Sequence, residues 1–149
     1  MMNEEVETMN DIERRDLRKR TKLFALRIVK LYASLPRSTE AQVIGKQVVR
    51  SGTSVGAHYR EAKRARSTAE FISKIEVALQ ELDETIYWLE LLTESGIVPE
   101  ARLTSLKGEA EELIKMLVSS AKTAKSASKR LSSILVHSSS LPYAPFSRN

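Results

Sequence analysis

The chain has no cysteine. That removes disulfides and thiolate metal sites, and nothing points to an oxidising compartment. No apolar run approaches the ~18 residues of a membrane-spanning helix. The opening MMNEEVETMNDIE is acidic, where a secretory signal has basic residues followed by an apolar stretch. The expected location is the cytoplasm, with no membrane as a partner. Proline occurs only at positions 36, 99, 142 and 145, leaving 62 residues free of it between the first two; so long an interval favours helix. Strand-type alternation is missing too. At 149 residues one domain is expected, with a core that needs no covalent staples.

The net charge of +5 conceals a segregation. Residues 1–13 hold five acids and no base, whereas residues 14–66 hold 15 Lys/Arg against three acids. Residues 67–118 reverse the balance, with four bases and 11 acids, and residues 119–149 hold five bases and no acid. A basic first half and an acidic third quarter suit mutual attraction, within one subunit or between subunits. The basic surface also suits a polyanion.

Four helices fit the apolar periodicity, over residues 11–35, 39–65, 67–95 and 99–136. Residues 137–149 read as a disordered C-terminal tail. Asn10 is placed to cap the first helix, with Glu13 three positions on; its stripe is Leu17, Phe24, Ile28, Leu31 and Leu35, and Pro36 ends it. Ser38 caps the second. Ser67-Thr68-Ala69-Glu70 has the pattern of a capping box for the third. The third helix's face, Phe71, Ile75, Ala78, Leu82, Ile86 and Leu89, steps by three and four, as a packed seam does. Gly96 is suited to a left-handed stop, and Pro99 to the first turn of the fourth helix. That helix carries Leu103, Leu106, Ala110, Leu113 and Leu117. Short connections make sequential helices antiparallel, so the expected class is all-α, an up-down-up-down four-helix bundle.

Residues 50–66, RSGTSVGAHYREAKRAR, combine small residues with cations. A phosphate-binding loop of the G-x-x-x-x-G-K-[S/T] type fails on spacing and on the absent strand. Ala41, Gly45, Gly52 and Gly56 step by 4, 7 and 4, so they share one helix face. Three helical glycines cost roughly 2–3 kcal/mol against alanine, which close approach of another helix would offset. Arg50, mid-helix among Val48, Val49 and Val55, is placed to form a partly buried, register-fixing bridge to Glu81 and Glu84 of the third helix. Arg60, Lys63 and Arg64 share a face, with Arg66 further round and Tyr59 alongside as a stacking ring. This is a candidate phosphate track, with Arg14, Arg15, Arg18, Lys19 and Arg20 as a second cluster. No helix-turn-helix, aromatic sheet or zinc finger accompanies it, and a solvated or subunit-pairing basic face is the alternative. His58 with Glu61, Glu81 and Glu84 would be needed for a metal-dependent hydrolase. The Glu-x-x-His order of bundle di-metal sites is reversed here and occurs once. The acid pair Glu109 and Glu112 suits ion pairing better than catalysis. Ser51, Thr53 and Ser54 are expected to bond back to their own helix rather than act as nucleophiles. No cofactor, metal or enzymatic activity is expected.

Several of these residues fall in one longer pattern. Leu35-Pro36, Gln47-x-x-Arg50-Ser51-Gly52-Thr53-Ser54-Val55-Gly56-Ala57, Glu61-Ala62, Ser67-x-x-Glu70-Phe71 and Glu81-x-x-Glu84-Thr85-x-x-Trp88-Leu89 resemble the 23S rRNA intervening-sequence proteins, over roughly residues 17–125. His58 departs from the more usual Asn. The resemblance implies a four-helix bundle in a ring-like homopentamer, related in fold to the accessory variability determinants of diversity-generating retroelements, which act with a reverse transcriptase and RNA. It implies no enzyme activity. Gly52, Gly56, Arg50, Glu61, Glu81, Glu84 and Trp88 are then structural. The expected function is a non-enzymatic oligomer whose basic surface binds RNA or DNA, with itself and a reverse transcriptase or other protein as partners. The alternative is a protein-interaction scaffold.

Overall fold

The structure, a computed structural model, describes residues 2–139, with side chains over residues 17–138. Four helices follow in order: α1 (Met2–Ala33), α2 (Thr39–Lys63), α3 (Thr68–Glu94) and α4 (Glu100–Ser139). No strand occurs among the described residues.

The helix ends show what local chemistry decides. Ser38 caps α2, its hydroxyl accepting from the Ala41 N–H, and Ser67 caps α3 by accepting from the Glu70 N–H at 3.1 Å. The capping box at α3 is offset by one residue. The Glu70 carboxylate reaches the Arg66 N–H at 3.1 Å instead of closing on Ser67. Gly96 adopts φ +77°, and the Ile97 and Gly96 N–H groups return to the Leu92 and Thr93 carbonyls, satisfying the last turn of α3. Asn10 is not a cap, because α1 is already helical from Met2. At the other end α4 continues through His137 and Ser138 to Ser139 rather than giving way to a tail at 137; residues 140–149 lie outside the described residues.

Each helix buries one stripe. Phe24 and Ile28 of α1, Val48 and Val55 of α2, Ile75, Leu82 and Leu89 of α3, and Leu103, Leu113 and Leu117 of α4 are almost fully enclosed. α2 packs on α1 and α3, α4 packs on α3 and α1, and among the described residues neither diagonal pair comes into backbone contact. The glycine stripe accounts for the α1–α2 approach. A Cβ on Gly52 would stand 2.8 Å from Ile28 Cγ1, and one on Gly45 would stand 2.7 Å from Leu35 Cδ1. A Cβ on Gly56 would stand 3.3 Å from Thr21 Oγ1. The backbone therefore comes as close as side-chain-free positions allow, and the neighbour is a helix of the same chain. No described helix is long and apolar enough to cross a membrane.

Candidate functional site

Two sets of motif residues are brought together, and they differ in kind. The first is a polar clasp between α2 and α3. Arg50 meets Glu84 in a short hydrogen-bonded ion pair, reaches Glu81 at 3.3 Å, and donates to the Gln47 side chain at 3.1 Å. The Trp88 indole N–H donates to the same Glu84 oxygen at 3.3 Å, and the Trp88 ring meets Tyr87 edge-on at 5.1 Å. The hydrogen bond from Arg50 holds the Glu84 carboxyl below the usual carboxylate range; partial desolvation opposes this and Trp88 assists. The Arg50 side chain is 48% exposed and Glu81 only 17%, so the bridge is partly buried on its α3 side and open on its α2 side. Position 50 falls half a turn from the inward positions Val48 and Gly52, so the clasp lies on the outer surface.

Beneath it lies a contact that sequence reasoning missed. Ser51 and Thr85 are fully buried, with their hydroxyl oxygens 2.8 Å apart. Ser51 donates to the Gln47 carbonyl at 2.8 Å, and the single Thr85 proton is shared between Ser51 Oγ and the Glu81 carbonyl. Ser51, Thr53 and Ser54 all bond back to carbonyls of their own helix. The signal was present in the paired R-S-G and E-T-x-x-W runs, but only a three-dimensional register shows that the two hydroxyls meet.

The proposed metal set divides in two. Glu81 and Glu84 belong to Arg50, while Glu61 pairs with Lys74 at 2.9 Å and with the His58 ring at 3.4 Å. Lys74 first, and His58 second, hold the Glu61 carboxyl below its ordinary range. Among the described residues no three His, Asp or Glu side chains gather as metal ligands.

The second set is a basic end. Thr21 of α1 meets Gly56 of α2, so Arg18, one turn before Thr21, lies level with Arg60, one turn after Gly56. Leu17, Tyr59 and Lys63 line one groove of about 590 Å³. Lys63 and Arg66 line the adjoining groove of about 540 Å³ with Ala124 and Leu131 of α4. The candidate cations Arg18, Lys19, Arg60, Lys63, Arg64 and Arg66 are exposed and collect at this end. Arg14 and Arg15 lie outside the residues whose side chains are described. Two expectations need correction. Arg20 is not a free cation: it grips both oxygens of Glu109, at 3.0 and 3.1 Å, and ties α1 to α4. Tyr59 is only 2% exposed, because its position continues the buried Val48–Val55 stripe, so its ring offers no stacking surface.

Residues 13–119 match the family model of the 23S rRNA-intervening sequence protein. No curated protein matches the chain. A solved structure from Bacteroides thetaiotaomicron, a protein of unknown function from the S23 ribosomal protein family, is similar at 40% identity and a TM-score of 0.70, covering 74% of this chain and 98% of its own. The chain belongs to the 23S rRNA-intervening sequence protein family.

Proposed function

We propose that this chain is a non-enzymatic, cytoplasmic, antiparallel up-down-up-down bundle that assembles with copies of itself, as a pentamer, and holds RNA or DNA on its basic end. The helix sense is supported by pairings in which numbers rise along one helix as they fall along its neighbour, as in Gly45, Gly52 and Gly56 against Leu35, Ile28 and Thr21. The observation that carries the binding reading is the convergence of two clusters far apart in sequence, around Arg18 and around Arg60. A track of exposed cations is what neutralises successive phosphates. The test is Arg64→Glu, read by fluorescence anisotropy with RNA and DNA oligonucleotides and by light scattering. Loss of binding at unchanged assembly mass supports the reading; unchanged binding contradicts it.

A second reading, a scaffold built by subunit contacts, is favoured by a different observation. Asp83, Tyr87, Glu90 and Glu94 form one outward stripe on α3, all exposed. Lys19, Leu23, Leu26 and Lys30 form an outward stripe on α1, also exposed. An acidic and a basic-apolar face on one chain suit head-to-tail assembly, which closes into a ring where the rotation permits. If Arg64→Glu abolishes assembly along with binding, the basic residues serve subunit contacts and this reading takes over. A reverse transcriptase or other protein then becomes the natural candidate for the ring's outer face.

A further inference from the structure

Two helices present outward stripes of the same spacing and opposite charge. On α1, Lys19, Leu23, Leu26 and Lys30 step by 4, 3 and 4, and on α3, Asp83, Tyr87, Glu90 and Glu94 do the same. Each stripe is a ribbon about 16 Å long with a charge at either end. Leu23, Leu26 and Tyr87 are 48%, 54% and 53% exposed. Single exposed leucines are ordinary, but two of them adjacent on one face, with exposed Val29 beside them, make a patch. The charges of the stripes stand apart from the rest. Glu76, Glu81, Glu84 and Glu109 each meet a cation of another helix. Among the described residues, Lys19, Lys22, Lys30, Asp83, Glu90 and Glu94 meet no opposite charge of their own chain.

We propose that the α1 stripe of one copy seats on the α3 stripe of the next, the two helices running in the same direction, with Lys19 level with Asp83, Leu23 with Tyr87, Leu26 with Glu90 and Lys30 with Glu94. The pairing rests on the subunit-contact reading above and gives it a register. Charge selects the partner: two α1 stripes would set lysine against lysine, and two α3 stripes acid against acid. Leu23 covers the Tyr87 ring, and Glu90, level with Leu26, has Lys22 and Lys30 one turn to either side. Position places the contact between copies. α1 and α3 are a diagonal pair of the bundle, without backbone contact among the described residues. A copy that gives its α1 stripe to one neighbour therefore keeps its α3 stripe for another. The spacing alone also permits an antiparallel pairing, Lys19 with Glu94 and Lys30 with Asp83, and closure decides between the two. In the helix sense proposed above, α1 and α3 of one copy run the same way, which the α2–α3 pairings of Arg50 with Glu84 and Glu61 with Lys74 support. A parallel contact keeps successive copies upright about a common axis and can close, whereas an antiparallel one inverts each successive copy and stays open. The parallel sense also brings the Arg18 and Arg60 clusters of all copies to one level, where a single polyanion can span neighbours.

The test uses the full chain and its lack of cysteine. Lys30→Cys/Glu94→Cys, mildly oxidised, is expected to give a ladder of disulfide-linked chains on non-reducing electrophoresis, and Lys30→Cys/Asp83→Cys only monomer. A ladder from the second pair, or equal ladders from both, overturns the parallel register. Light scattering after size exclusion separates the pairing from the reading it rests on. An assembled unmodified protein with no ladder from Lys30→Cys/Glu94→Cys overturns the pairing and leaves assembly standing; an unmodified protein at single-chain mass overturns both. Charge exchange gives a check without cysteines, at two exposed positions where folding is retained. Lys30→Glu is expected to raise the dissociation constant of the assembly about tenfold, and Lys30→Glu/Glu94→Lys to restore it. Unchanged assembly in Lys30→Glu, or no rescue by Glu94→Lys, contradicts the proposal.

Discussion

Gly52 and Gly108 are both helical glycines, and substitution should move stability in opposite directions at the two. A Cβ at Gly52 would press on Ile28, a β-branched side chain with no exposed surface and little room to turn. Overpacking of this kind costs about 1–3 kcal/mol, against about 1 kcal/mol of helix propensity gained. Gly52→Ala is expected to lower stability by up to roughly 2 kcal/mol in denaturant melts. A Cβ at Gly108 meets nothing within 4 Å, so Gly108→Ala is expected to raise stability by about 1 kcal/mol. Two gains, or two losses, would contradict the close-approach account. The Ser51–Thr85 pair makes a separate prediction. Thr85→Val is expected to cost about 1 kcal/mol, and the double variant with Ser51→Ala less than the two singles combined, because the hydroxyls answer each other. Full additivity in the cycle would show them to be independent.

Between elements, the clasp of Arg50 on Glu84 joins α2 to α3 in the open. Both side chains are more than a third exposed, so a double-mutant cycle is expected to give a coupling below about 1 kcal/mol at neutral pH. Its pH dependence has a definite sign. The Glu84 carboxyl is lower when folded than when unfolded. Its contribution is therefore complete above the unfolded value, near 4.3, and disappears as the pH falls through the lower folded value. A coupling that stays constant down to about pH 2 would show that the ion pair contributes nothing. The partners themselves were legible from helical spacing: Arg50 at mid-α2 and Glu81 and Glu84 at mid-α3 follow from periodicity and short connections. Their exposure was not, since it depends on a half-turn of rotation that a run of valines conceals. The caps at Ser38 and Ser67 and the stop at Gly96 are written in single residues, and the structure uses them. The start of α1 was misplaced because Asn10 and Glu13 have the right spacing for a cap. The helix continues to Met2, and a capping pattern competes with continuation without excluding it.

For the molecule as a whole, the charge segregation along the sequence becomes a spatial one. Cations from the middle of α1 and the end of α2 lie together, while α3 presents acids outward. The sequence showed which cations were clustered but not which were committed. Arg20 lies in the middle of the first basic run and is nonetheless bound to Glu109, 89 positions away. Arg20→Ala is accordingly expected to loosen the α1–α4 seam, with a loss of about 1–2 kcal/mol, and to leave polyanion affinity nearly unchanged; a large loss of affinity in a folded Arg20→Ala protein would contradict that assignment. The central claim, that the exposed basic end holds nucleic acid, is tested most directly by the salt dependence of oligonucleotide binding. If about five phosphates are neutralised, affinity should fall by roughly 10²–10³ between about 50 and 200 mM salt, with a shallower slope in Arg60→Glu/Arg64→Glu. A flat response across that range, or no binding of any RNA or DNA at the lower salt, would contradict it.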